Sequence, residues 1–141
     1  MDSKREGYRI DIERLYAIAK EHNIPVVDMQ LKYISAMAVC IGEKCAIGID
    51  YKQISSTADE KVKLAHELGH CITKSFYSSK ATADFIHNQE NTADLWAIKT
   101  IIPKSNIDTA LKNGIENVEQ LADCFDVTKD YIEKALHFYY Q

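Results

Sequence analysis

The segment LAHELGHC, residues 64–71, places two histidines four positions apart, with a glutamate directly after the first. Apolar residues recur around it at the spacing of one helix face, and Thr57 with Glu60 predicts a capping box where that helix begins. Residues i and i+4 of a helix project from the same face. His66 and His70 are therefore expected side by side on one helix.

Two imidazoles on one face can bind one metal ion, with each nitrogen about 2.0–2.1 Å from it. Glu67 follows His66 by about 100° around the helix, so it lies beside such an ion, where a general base for a water molecule is needed. Gly69 leaves room for a facing element or a substrate to approach. The alternative is an exposed helix face with two solvated histidines.

A catalytic zinc site needs a third protein ligand and an open position for water. The segment HNQENTADLWA, residues 87–97, offers Glu90 and Asp94, which share a helix face. A helix crossing the first could present Glu90 to the metal while Asp94 accepts a hydrogen bond from the far nitrogen of a ligating histidine. His87 is the competing third ligand. The other candidates lie at helix ends, two turns before the site or near the end of the chain: His22, Asp59, Glu60 and His137.

Three motifs in this order resemble one known family. They are HELGH at residues 66–70, ENTADLWA at residues 90–97, and IIP at residues 101–103. The sequence resembles the ImmA/IrrE-type metallopeptidases, which are often found in phages and integrative elements. The resemblance covers roughly residues 10–136, and its specificity comes from the motifs occurring together.

Residue by residue, the resemblance implies zinc ligands at His66, His70 and Glu90, and a catalytic acid/base at Glu67. Asp94 stands where the family commonly has Asn, although the wider gluzincin pattern Glu-x-x-x-Asp has the aspartate. This departure concerns the support of the ligands and leaves the ligand set unchanged.

The activity implied is hydrolysis of a peptide bond in a protein. The implied substrate is a helix-turn-helix repressor encoded alongside the enzyme on a phage or mobile element, cut to derepress transcription. The chain looks shorter than family members with an additional sensor domain, so we expect a minimal peptidase.

The sequence also suggests which groups stabilise the oxyanion and where the substrate binds. His87, Tyr77 and Tyr51 are the candidates for the donor that stabilises the oxyanion. The strand CAIGID, residues 45–50, precedes the active-site helix, and we predict it to be a sheet edge to which an extended peptide adds by backbone hydrogen bonds.

The rest of the sequence predicts an α+β fold with a small antiparallel sheet, in one zincin-like domain over residues 1–141. Its C-terminal part, residues 105–141, is predicted to be helical and to resemble a helix-turn-helix. The predicted elements are a helix at 9–23, a hairpin at 35–41 and 45–50, and helices at 56–76, 84–102, 106–114, 117–126 and 128–140.

Composition limits the classes of function. The 141 residues are 46% hydrophobic and 27% charged, with a net charge of −4 and no polybasic segment, so nucleic acid is not expected as the direct partner. The first 16 residues lack the apolar stretch of a secretion signal, and no run is long enough to span a bilayer, so we expect a cytoplasmic protein without a membrane partner.

The four cysteines are then expected to be reduced thiols: Cys40, Cys45, Cys71 and Cys124. Cys40 and Cys45 have the spacing of a zinc-ligand pair, but no second pair follows at a suitable distance. The simpler interpretation is that they flank a turn.

Two other functions are compatible with the sequence. Residues 117–136 resemble a helix-turn-helix, which would suit a DNA-binding regulator with a structural metal. The predicted recognition helix, however, carries Lys129, Asp130, Glu133 and Lys134, whose charges cancel. The other alternative is a zincin that binds a protein without cutting it, although every residue that the chemistry needs is present.

Overall fold

The computed structural model describes residues 7–141. The prediction that the chain starts without a secretion signal falls partly on residues 1–6, which lie outside the described part. The predicted α+β class and the helical C-terminal part are confirmed. In chain order the elements are α1 (Ile12–Glu21), β1 (Val26–Asp28), β2 (Ala36–Ile41), β3 (Lys44–Ile49), a short 3-10 helix (Tyr51–Gln53), α2 (Thr57–Thr73), α3 (Ala83–Ile101), α4 (Lys104–Lys112), α5 (Val118–Phe125) and α6 (Lys129–Tyr140).

Helix α2 carries the HELGH motif and begins one residue earlier than the predicted cap implies. Its N-cap is Ser56, whose hydroxyl accepts a hydrogen bond from the Asp59 N–H at 3.0 Å. The predicted capping box of Thr57 and Glu60 is therefore wrong. The Glu60 carboxylate instead accepts a hydrogen bond from the Tyr16 hydroxyl at 2.6 Å, which joins α2 to α1.

Two other predicted boundaries are confirmed. Helix α3 ends at Ile101 and Pro103 is the N-cap of α4, as expected for a residue that cannot continue a helix. Thr128 caps α6, and its hydroxyl accepts a hydrogen bond from the Tyr131 N–H at 3.3 Å.

The sheet has three strands in the order β1–β3–β2. The predicted hairpin of β2 and β3 is antiparallel, and Gly42 takes φ +64° in its tight turn. Strand β1 pairs with β3 in parallel, so the sheet is mixed rather than purely antiparallel. A strand of three residues is too short to give a periodic signal in sequence. Because β3 is paired on both sides, the prediction that residues 45–50 form an edge is wrong; the edge strands are β1 and β2.

The buried core is built around α2. Leu64, Ala65 and Leu68 are fully buried, and they pack with apolar residues of α1, β3, α3, α5 and α6 in one cluster. Helix α2 therefore lies in the middle of the molecule, with its histidine-bearing side turned toward α3. Among residues 7–141, none of the helices is both long and apolar enough to cross a membrane.

Helices α2 and α3 approach each other closely at Gly69. A Cβ placed on Gly69 would lie 2.4 Å from the backbone oxygen of Ala93, well inside contact distance. The sequence predicts room here for a facing element, and that element is α3. This close approach brings Glu90 within reach of the two histidines.

Replacing Gly69 with alanine is expected to reduce the free energy of unfolding by about 3 kcal/mol, since the backbone of α3 would have to move. Gly48→Ala is a matched control, because its added Cβ would meet flexible side-chain atoms of Met29 and Met37 instead of backbone atoms. We expect a loss below about 1 kcal/mol there. Urea denaturation measures both, and equal losses would contradict this account of the α2–α3 contact.

Lys61 ties α2 to the C-terminal helices. Its side chain is 1% exposed, and its Nζ donates a hydrogen bond to the Phe125 carbonyl at the end of α5, at 2.6 Å. Arg9 donates to the neighbouring carbonyls of Asp123 and Cys124. Two cations thus meet the negative end of the α5 dipole.

Burial lowers the pKa of Lys61 from 10.5 to about 8. Between these values the folded protein binds fewer protons than the unfolded chain, so stability rises with pH across that window. We expect the wild type to gain about 1 kcal/mol relative to Lys61→Met between pH 7 and pH 9. Denaturation of both proteins at the two pH values measures this difference. A constant difference would show that Lys61 has an ordinary pKa.

Candidate metal centre

Three side-chain atoms from two helices meet at one point. The Nε2 atoms of His66 and His70, on α2, lie 3.2 Å apart. Glu90 on α3 brings Oε2 to 2.7 Å from the His66 Nε2 and 3.2 Å from the His70 Nε2. Within residues 7–141, these three side chains form the one group of metal-ligand type. The structure thus brings together the three residues that the sequence predicts as ligands.

These spacings fit a tetrahedral metal site. Ligand atoms about 2.0–2.1 Å from a zinc ion lie roughly 3.3 Å from each other along a tetrahedral edge. Two of the three separations are 3.2 Å, and the one between His66 and Glu90 is somewhat shorter. An ion at the centre would need only a small outward shift of the Glu90 carboxylate.

The tautomer of His70 follows from its other nitrogen. Its Nδ1 lies 2.5 Å from the Ser75 carbonyl oxygen, which can only accept, so Nδ1 carries a proton. With Nδ1 protonated, Nε2 is the nitrogen that can present a lone pair, and it faces the His66 Nε2 and the Glu90 carboxylate. Such electron pairs repel unless a cation lies between them, so the donor set fits a divalent metal.

His66 is held by a chain of charges that starts in the last helix. Its Nδ1 lies 2.8 Å from Asp94 Oδ1, and Asp94 Oδ2 accepts a hydrogen bond from the Lys134 ammonium at 3.1 Å. Burial alone would raise the pKa of Asp94, but His66 and Lys134 lower it overall. Asp94 is thus an anion that keeps the proton of His66 on Nδ1 and leaves Nε2 for the metal.

Glu67 stands beside the ligands in a cleft of about 350 Å³. Burial raises its pKa above the ordinary range, although the nearby histidines partly oppose this. The backbone N–H of Ala38 donates a hydrogen bond to its carboxylate. Glu67 is thus oriented from β2 and lies where a base for an attacking water is expected. The cleft is lined by the ligands, Glu67 and Ile34, Ala36, Met37, Ala38, Phe76 and Tyr77.

The edge of β2 along this cleft directs backbone groups away from the sheet. In β3, the Ile47 N–H donates to Pro25 and the Ile49 carbonyl accepts from Met29, so these residues direct their polar groups toward β1. Their partners in β2, Ala38 and Ala36, therefore direct theirs away from β3. Strand β2, rather than the predicted residues 45–50, is the edge that faces the candidate site.

The three predicted oxyanion donors lie in different places. Tyr77 lines the cleft, and its hydroxyl donates to Glu90 Oε1 at 2.5 Å. That hydrogen bond raises the pKa of Tyr77 to about 12, so the hydroxyl keeps its proton. Tyr51 instead lies 2.7 Å from the Tyr16 hydroxyl, outside the cleft. His87 is exposed on α3 and lies outside the ligand group.

The other titratable candidates lie away from the ligands. Asp59 pairs with Lys63, and Glu60 with Tyr16. His22 follows the end of α1, and His137 is exposed on α6.

Three supporting groups are missed by the sequence analysis. The Ser75 carbonyl and the Ala38 N–H belong to the backbone, which carries no residue-type signal. The sequence places Lys134 only in a predicted recognition helix, since nothing in it relates this lysine to Asp94, 40 residues earlier. The pairing of two charges across helices depends on how those helices pack.

The helix-turn-helix-like segment packs on this centre. In α6, Tyr131, Ile132 and Ala135 are buried in the core. Of the lysines expected to meet DNA, Lys134 pairs with Asp94, and Lys129 lies 3.5 Å from Glu119. The outer face of the helix is thus occupied by ion pairs and offers little free positive charge to a phosphate backbone.

Two histidines one turn apart, a glutamate from the next helix and the half-buried Glu67 carboxylate beside them define a metallopeptidase-like site of the zincin type. The chain belongs to the Peptidase_M78 family, whose description, IrrE N-terminal-like domain, matches residues 19–137. This match confirms the resemblance drawn from the sequence motifs. Comparisons with curated proteins and with solved structures found no match.

Proposed function

We propose that this protein is a zinc-dependent endopeptidase that hydrolyses a peptide bond within a protein substrate. The observation that carries the proposal is the convergence of His66, His70 and Glu90 beside Glu67, in a cleft that runs along a free sheet edge. Membership of a peptidase family supports it independently. The cation is assigned as zinc from the nitrogen-rich ligand set, although manganese would fit the same donors more weakly.

Separate residues would bind the metal, transfer protons and stabilise the oxyanion. A divalent ion held by the three ligands would polarise a water molecule and the scissile carbonyl. Glu67 accepts a proton from the attacking water and returns it to the leaving amine. Its raised pKa brings the carboxyl closer to the range in which it can both accept and donate. We assign the stabilisation of the oxyanion to the Tyr77 hydroxyl, which lines the same cleft.

The substrate is proposed to bind in an extended conformation along β2. Ala36 directs its N–H and C=O outward, and Ala38 offers its C=O while its N–H holds Glu67. An added strand would form hydrogen bonds with these groups, as in other cases of β-augmentation. Ile34 and Met37 give the cleft an apolar lining for substrate side chains.

The partner proposed is a helix-turn-helix repressor encoded next to this protein on a phage or mobile element, and its cleavage would derepress transcription. This choice of partner rests on the family resemblance, which is weaker evidence than the geometry of the site. In this proposal the whole chain is one minimal peptidase domain working in the cytoplasm, without direct contact to nucleic acid or membrane.

The experiment that tests this function incubates the zinc-loaded protein with the neighbouring repressor and with an unfolded casein. Mass spectrometry of the products locates each cut, and a chelator-treated sample is the control. We expect cleavage of the repressor that disappears on chelation. Cleavage of casein alone would remove the repressor as substrate and keep the endopeptidase. If neither protein is cut, the endopeptidase assignment is wrong.

A further inference from the structure

Three cysteine thiols form a row that starts in the hairpin and ends on the active-site helix. Cys40 lies on β2, Cys45 on β3 and Cys71 on α2, directly after His70. Cys45 is within hydrogen-bond reach of both of the others. Cys40 is half-buried, whereas Cys45 and Cys71 are buried, so a reagent in solution reaches Cys40 first.

Cys40 and Cys45 face each other directly across the hairpin. Cys45 lies two residues before Ile47 on β3, and the Ile47 N–H points to β1, so the backbone polar groups of Cys45 also point away from β2. Cys40 and Cys45 are therefore a non-hydrogen-bonded pair of the β2–β3 ladder. In such pairs the Cα atoms are about 4.5 Å apart and the side chains are close. Disulfides span Cα separations of about 4.4–6.8 Å, so this pair can be bridged without moving the strands far.

A cation lies next to the central thiol. The Lys74 ammonium, just after the end of α2, is 3.5 Å from the Cys45 sulfur and 3.4 Å from the Glu43 carbonyl. A neighbouring ammonium stabilises a thiolate, which is the attacking species in thiol–disulfide exchange. A cavity of about 460 Å³ borders Cys45, Cys71 and Lys74, which leaves room for their side chains to rearrange.

We propose that Cys40 and Cys45 are a redox modification site, at which a small disulfide such as oxidised glutathione converts the two thiols into a cross-strand disulfide. Cys40 is the entry thiol because it is the accessible one. Cys45 is the resolving thiol because Lys74 lies beside its sulfur. The inference concerns the hairpin alone and does not depend on the proposed peptidase activity.

The reaction consists of two exchanges. The Cys40 thiolate attacks one sulfur of glutathione disulfide, so that a mixed disulfide forms and one glutathione leaves as a thiolate. The Cys45 thiolate then attacks the Cys40 sulfur, the protein disulfide forms, and the second glutathione leaves. The two protons of the cysteines end on the two glutathione molecules. The protein is oxidised by two electrons, and the glutathione disulfide is reduced by the same number.

The test uses the full chain in glutathione redox buffers, followed by acid quenching, alkylation and digestion with trypsin. The hydrogen bond with Cys45 raises the pKa of Cys40, so the buffer is mildly alkaline. The lysines of the sequence separate the cysteines into four peptides: 33–44, 45–52, 64–74 and 113–129. We expect peptides 33–44 and 45–52 to be joined, with Cys71 and Cys124 alkylated, and dithiothreitol to restore both thiols.

Matched variants identify the role of each group. Cys45→Ala should stop at a glutathione adduct on Cys40, whereas Cys71→Ala should still form the cross-link. Lys74→Met should slow the second exchange several-fold, since it removes the ammonium that lies 3.5 Å from the attacking sulfur. A link between peptides 45–52 and 64–74, or a Cys40 adduct that never resolves in the wild type, would overturn the proposal.

Discussion

Replacing Glu67 with glutamine is expected to lower the rate of peptide cleavage by about a thousand-fold or more, while the protein still binds one zinc ion per chain. Loss of a general base costs about 10²–10⁴ in rate, and here the same group also returns the proton to the leaving amine. The amide is nearly isosteric and lies outside the ligand set, so the metal should stay. Cleavage assays and metal analysis on the same preparation measure the two effects separately.

Glu60→Gln is the matched control for that experiment. Glu60 lies on the same helix as Glu67 but outside the cleft, where it accepts a hydrogen bond from Tyr16. The control variant should therefore cleave at the wild-type rate. Undiminished cleavage by Glu67→Gln would remove Glu67 from its role as the base. A rate lost together with the zinc would show that Glu67 supports the metal instead.

Replacing Glu90 with alanine is expected to weaken zinc binding by at least about a hundred-fold, because a three-ligand site would retain two histidines. Loss of a supporting partner alone typically costs 10–100-fold, so loss of a ligand should exceed that range. Tyr77 would also lose its hydrogen-bond acceptor. Inductively coupled plasma mass spectrometry of the purified protein gives the metal content per chain.

His87→Ala is the control that decides between the two candidate third ligands. His87 lies on the same helix as Glu90, one turn earlier, but it is exposed. We expect this variant to keep about one zinc per chain. Zinc retained by Glu90→Ala and lost from His87→Ala would transfer the ligand role to His87. A wild-type protein that binds no metal, even after incubation with zinc, would mean that the histidines form a solvated helix face.

The ligand set could be predicted from the sequence because it depends on local geometry. The four-residue spacing of His66 and His70 determines that they share a helix face, whatever that helix packs against. The same holds for Glu90 and Asp94 on α3. That the two helices meet at these positions follows from a small residue, Gly69, whose role as a contact site the sequence indicates only in general terms.

Groups that act through the backbone or across long separations could not be predicted. The edge of the sheet depends on β1, three residues whose pairing with β3 is decided by tertiary packing. The Ser75 carbonyl that orients His70 is a backbone group, which every residue type has, so the sequence does not indicate its role. Ser56 and Thr57 are both good N-cap residues, so residue type alone does not show which of the two caps α2.

The bridge from Lys134 to Asp94 also affects the order in which the site is completed during translation. The ligands and Asp94 leave the ribosome well before Lys134, because 40 residues separate Asp94 from its partner. Until α6 has been made and has docked, Asp94 lacks the Lys134 ammonium, one of its two partners, and α3 lacks part of its cover. The nascent chain can therefore meet metal ions before the fully supported centre exists. The Lys134–Asp94 ion pair, which supports the carboxylate that orients His66, can form only after synthesis has passed residue 134.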